Sequence, residues 1–193
     1  MAKKIFLGGL VGGILVFLVS GFLHAATSLG EVGIRNLPGE DTIVAAMRAS
    51  IHESGFYFFP GLPGGMHEKQ TPEQQAAYLE KYKQGPTGIL IYSLGGEGLQ
   101  YGKLLVIQFL IGLIAAFIVA WVLPMTAGTT TYLTRVMMAL MLGVFAGIFV
   151  DLPYWNWYGF PTNYVIGHIL GGALSWAIAG LGMAAIVKPS TAA

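Results

Sequence analysis

Four long apolar blocks constrain this chain more than any other feature. Ile5–Leu23, Leu104–Leu123, Val136–Val150 and Tyr164–Val187 contain no Lys, Arg, Asp or Glu. A helix crosses the hydrocarbon core of a bilayer with about 20 mostly apolar residues, each rising about 1.5 Å. The third block reaches that length by borrowing Leu133, Thr134 and Leu152, and its flanking charges, Arg135 and Asp151, fall where the interfaces should be. The expected architecture is an all-α membrane protein, a bundle of four transmembrane helices. A small α+β extracytoplasmic cap lies between helices 1 and 2. The expected boundaries are 1–24 for helix 1, 25–101 for the cap and 102–193 for helices 2–4, at about 103–123, 133–152 and 164–187. Only 10% of the residues are charged, against about 25% in soluble domains, too few to cover a water-facing surface of this length.

Lys3 and Lys4, the first apolar run and Leu23-His24-Ala25-Ala26 also fit a secretory signal, but the run exceeds the usual core of about 7–15 residues. It is read as an uncleaved anchor. Orientation follows from Lys and Arg in the short loops. Placing Lys3, Lys4, Arg135 and Lys188 on one side puts both termini in the cytoplasm, as expected for a multi-pass protein of a bacterial inner membrane. The loop from Asp151 to Asn163 holds no Lys or Arg. The segment 24–100 carries Arg35, Arg48, Lys69, Lys81 and Lys83 against eight acidic residues, and would lie outside.

That segment is too long for a structureless loop. Asp41 is expected to cap a helix with Ile43, Val44, Met47 and Ile51 on one face. Gly55-Phe56-Tyr57-Phe58-Phe59-Pro60 reads as a buried strand ended by proline. Thr71-Pro72-Glu73-Gln74 is a capping box opening a helix to about Gln84, and Gly88–Ser93 reads as a second strand. Gly95-Gly96-Glu97-Gly98 lacks the Lys-Ser/Thr of a phosphate loop and precedes a span, so it reads as a junction.

Small residues recur every four positions in all four spans: Gly8/Gly12 and Gly9/Gly13, then Gly112/Ala116/Ala120, Gly143/Gly147, and Gly167/Gly171. They allow helix backbones to approach closely, within the bundle or against other subunits. Between spans three and four, Tyr154, Trp155, Trp157 and Tyr158 read as an interfacial aromatic belt on a turn made by Pro153, Gly159 and Pro161. This run, with Gly55–Pro60 and Gly85-Pro86-Thr87-Gly88, resembles a group of small uncharacterised bacterial four-helix membrane proteins. The resemblance carries no activity and no functional residue.

Each span brings one polar group to a similar depth at the outer side: His24, Gln108, Asp151 and His168. Polar groups at membrane depth usually turn inward to meet partners. One reading is a hydrogen-bonded clasp in which Asp151 orients His168. The other is a ligand or metal site, with two imidazoles serving a haem or pigment metal, or His-Asp-His holding Zn or Cu. Met66-His67 is a weaker copper candidate. The inner halves of the spans offer almost nothing ionisable, which argues against a proton relay, and no internal repeat suggests an inverted-repeat transporter. No Gly-x-Ser-x-Gly or His-Glu-x-x-His motif is present. With no cysteine, thiolate chemistry is excluded, and a net charge of +1 without a basic stripe argues against nucleic acid. The leading expectation is a non-catalytic accessory or structural subunit, partnered by lipid and by other membrane subunits or itself. A haem-, pigment- or metal-binding protein is the alternative, and a small transporter or membrane enzyme comes third.

Overall fold

A computed structural model describes residues 1–65, 67–96, 98–125 and 131–188; Met66 and Glu97, named above, lie outside the described residues. The chain is mostly helical. In order, the elements are α1 (Ala2–Ala26), α2 (Glu40–Ser50), β1 (Gly55–Phe59), α3 (Pro72–Gln84), β2 (Gly88–Tyr92), α4 (Tyr101–Val122), α5 (Tyr132–Tyr158) and α6 (Thr162–Ile186). Among the described residues, α1, α4, α5 and α6 are long and apolar enough to cross a membrane. The chain divides into two compact units, Met1–Ile34 with Leu99–Ala193, and Arg35–Gly98. Residues 27–34 therefore belong with the long helices rather than with the inserted segment.

Within the helical unit, α1 packs on α4 and α6, and α6 packs on α5. Glycine makes these approaches possible. A Cβ on Gly13 would stand 2.9 Å from Leu113 Cα, and one on Gly12 would run into the Met183 side chain. Cβ atoms on Gly9 and Gly143 would strike the rings of Phe117 and Trp176, and one on Gly180 would crowd Ala139 and the Val136 backbone. Ala116 and Ala120 of α4 are fully buried. The chain itself fills most of its small-residue positions.

Val119, Ala120, Leu123, Ala139, Ala179, Met183 and Val187 form the buried core. It lies where α4 and α6 end and α5 begins. Here Tyr132 Oη donates to Leu181 O at 2.9 Å, and Arg135 Nη2 donates to Ala184 O at 3.1 Å. Ala184 O is one of the last carbonyls of α6, which lack an i+4 donor within their own helix and carry its negative dipole end, whereas Leu181 O lies one turn earlier. Arg135 flanks its apolar block as the sequence suggested, but it is 5% exposed because it serves this helix end.

Helix α5 runs six residues past the expected end of span three, through Pro153. Tyr154, Trp155, Trp157 and Tyr158 therefore lie on its last turns rather than in a loop. An apolar helix tolerates an internal proline where its neighbours and local adjustments satisfy the freed carbonyl. The stop comes from Gly159, whose φ of 70° gives the left-handed cap, and Phe160 N–H donates to Tyr154 O. Trp155 Nε1 donates to Thr162 Oγ1 at 3.1 Å across the turn.

In the smaller unit, β1 and β2 pair antiparallel, Gly55 opposite Tyr92 and Phe59 opposite Gly88. Helix α3 is the connection between them. Its capping box is complete: Thr71 Oγ1 accepts from Gln74 N at 3.2 Å, and Gln74 Oε1 accepts from Thr71 N at 2.9 Å. Two expectations need correction. The cap residue of α2 is Gly39, at φ 64°, with Glu40 and Asp41 in the first turn, where carboxylates favour the positive dipole end. Strand β1 has no buried residue, because a two-stranded ribbon cannot enclose a core of its own.

Candidate functional site

At the end of the helical unit away from the core, a cavity of about 560 Å³ opens between α1, α4 and α6. Val16, Phe17, Ser20, Gly21, Leu23 and His24 line it from α1, and Leu105 and Gln108 from α4. From α6 come Tyr164, Gly167, His168, Gly171, Gly172, Ser175 and Trp176, while Leu29, Gly30, Val32 and Ile34 close it from the segment after α1. Its volume falls within the range of about 300–1,000 Å³ typical of small-molecule sites.

The segment after α1 takes its place through local chemistry. Thr27 ends the helix by turning its hydroxyl back onto Leu23 O and accepting from Leu29 N at 3.2 Å. Residues 28–30 form one tight turn. A Cβ on Gly30 would sit on the His24 backbone, and one on Gly167 would strike Val32. Gly33, at φ 81°, lies against Asn163 and Tyr164, so the segment crosses from the end of α1 to the start of α6.

Three of the four polar residues singled out in the sequence line this one cavity: His24, Gln108 and His168. Asp151 does not line it. It stands behind His168, 5% exposed, with Oδ2 2.8 Å from His168 Nδ1. On the helical rise, Asp151 lies about 10 Å before the end of α5, and His168 and Gln108 lie about 9–10 Å inside α6 and α4. His24 is only about 3 Å from the end of α1. The His168 ring also stacks on Tyr164, with centroids 6.0 Å apart and planes 6° from parallel.

The cavity has a polar end and an apolar body. His24, Gln108, Tyr164 and His168 lie towards one end, beside Leu23, Leu29, Val32, Ile34 and Leu105, and Val16, Phe17 and Trp176 lie deeper. The two deeper hydroxyls serve their own helices: Ser20 Oγ donates to Phe17 O and Ser175 Oγ to Gly171 O. Cβ atoms at Gly21, Gly171 and Gly172 would meet open space. These glycines therefore shape the cavity walls instead of admitting a neighbouring helix.

The sequence reading missed the 29–34 wall and Tyr164. Thr27-Ser28 followed by Gly30 and Gly33 was the available signal for a folded turn. Among the described residues, no three of His, Cys, Asp and Glu gather closely enough to hold a metal ion. The belt residues stand apart from the cavity; Trp157 is 76% exposed. No family model matches the chain, and neither a curated protein nor a solved structure matches it.

Proposed function

We propose that this is a multi-pass membrane protein that binds a membrane-soluble amphiphile in the cavity between α1, α4 and α6. Both termini are cytoplasmic in this reading, and residues 35–98 lie outside. The carrying observation is the gradient within one cavity, with His24, Gln108 and His168 at one end and Val16, Phe17 and Trp176 deeper. A ligand with a polar head and an apolar body matches both ends at once. An exposed polar side chain in hydrocarbon costs several kcal/mol unless something satisfies it. In this reading α4 and α6 both pack on α1, and an opening between them at span depth would admit apolar matter from the bilayer.

This reading displaces the accessory subunit because the small-residue stripes, which suggested partners, are largely occupied within the chain. A porphyrin bearing carboxylates fits less well, since no Lys or Arg among the described residues lines the cavity. The test is solvent extraction and mass spectrometry of protein purified in nanodiscs, beside its visible spectrum. The expected result is a colourless protein with a co-purifying amphiphile, depleted in Gly171→Phe, a variant that fills the cavity. Identical extracts from both proteins, or a Soret or chlorin band, would overturn the reading.

A further inference from the structure

The geometry points to an uncharged hydroxyl as the polar end of that amphiphile, donated to Nε2 of His168. This inference rests on the cavity being a ligand site. A carboxylate only accepts hydrogen bonds, so the neutral tautomer of His168 that pairs with Asp151 is the one with its proton on Nδ1, 2.8 Å from Oδ2. With the ring neutral, its lone pair is then on Nε2. The His168 side chain is 62% exposed and lines the cavity; with Nδ1 on Asp151, Nε2 is the ring nitrogen left for an occupant.

Charge then narrows the choice of head. A phosphate or carboxylate would meet no Lys or Arg among the described residues of the cavity wall, and would face the Asp151 carboxyl group behind the ring. An ester or ether brings acceptors alone and leaves Nε2 unsatisfied, which costs more than an ordinary hydrogen bond gains. A hydroxyl donates to Nε2 and keeps lone pairs for an amide donor such as Gln108, which lines the same cavity from α4. The body follows from the bare backbone at Gly21, Gly171 and Gly172, where nothing lies within 4 Å of an added Cβ. Walls without side chains leave width for a branched or ring-bearing body, so the ligand class is an isoprenoid or polycyclic alcohol. Asp151 is a positioning residue: it fixes which ring nitrogen carries the proton.

The experiment uses the full chain in phosphatidylcholine nanodiscs, labelled with a photoactivatable geranylgeraniol. Geranylgeraniol, its acetate and its monophosphate compete for labelling. The alcohol should compete about tenfold better than either, the difference one satisfied hydrogen bond makes. In Asp151→Asn the amide donates to Nδ1 and moves the ring proton to Nε2, so preference should shift about tenfold towards the acetate. A purely structural Asp151 would weaken all three competitors equally, and that result overturns its role. Should Asp151→Asn not fold, His168→Phe decides, because the alcohol's advantage must vanish while the body still binds. Equal competition by alcohol and acetate in the parent protein, or tighter binding of the phosphate, overturns the hydroxyl and leaves the cavity reading standing. Labelling that neither excess competitor nor Gly171→Phe reduces overturns the cavity reading itself.

Discussion

His168 Nδ1 and Asp151 Oδ2 lie 2.8 Å apart and tie α6 to α5 across the turn at Gly159. Asp151 is buried and His168 is not, so the two ends of the bond are unequal. Removing the imidazole strands a buried carboxylate. Removing the carboxylate leaves a ring that other groups can satisfy. His168→Ala should cost about 1–3 kcal/mol of stability, and Asp151→Ala less. Thermal unfolding of both single variants and the double variant measures this. A double variant no less stable than His168→Ala alone is the expected signature of coupling.

The close helix approaches predict a contrast between glycines of the same spacing. Gly13→Ala brings a methyl against the Leu113 backbone and Gly143→Ala against the Trp176 ring. Each should cost about 1–3 kcal/mol through overpacking. Gly171→Ala meets open space and should leave the melting temperature unchanged. Equal losses at all three positions would contradict the packing.

The capping box gives a local test. Thr71→Ala removes the acceptor for Gln74 N and should cost about 1 kcal/mol, raising protease sensitivity between Gly64 and Gly85. Glu73 adds a pH dependence. Its carboxyl is held below the usual glutamate range by a hydrogen bond from its own backbone N–H and by one from Thr71. A lowered folded-state value means that this contribution is fully present above the unfolded pKa. It fades as the pH falls through the lowered value, and Thr71→Ala should reduce that acid sensitivity.

Orientation is testable independently of the cavity. Since Lys3, Lys4, Arg135 and Lys188 mark the cytoplasmic side in our reading, a reporter fused after Ala193 should be cytoplasmic. One inserted at Gly64 should be external. A C-terminal reporter outside the cell would rule out four spans with cytoplasmic ends.

The sequence by itself determined what depends on neighbours along the chain. Uncharged runs of span length predicted four helices, because the amount of apolar surface is a property of each segment alone. Thr71-Pro72-Glu73-Gln74 predicted its own capping box, because every partner lies within one turn. Tertiary structure decided what depends on the residue opposite. Gly-x-x-x-Gly in α1 is closed by Leu113, Phe117, Met183 and Val187, whereas Gly167-x-x-x-Gly171 in α6 leads from a contact with Val32 into open space. The spacing reports that a surface is smooth and says nothing about what faces it. Pro153 read as a helix stop because a proline removes one backbone bond, yet α5 continues through it to Gly159. Depth along the spans brought His24, Gln108 and His168 into consideration together. Only the packing of α6 on α5 buried Asp151 behind His168, because a side chain's partner depends on how its helix is rotated against its neighbour, which no local pattern encodes.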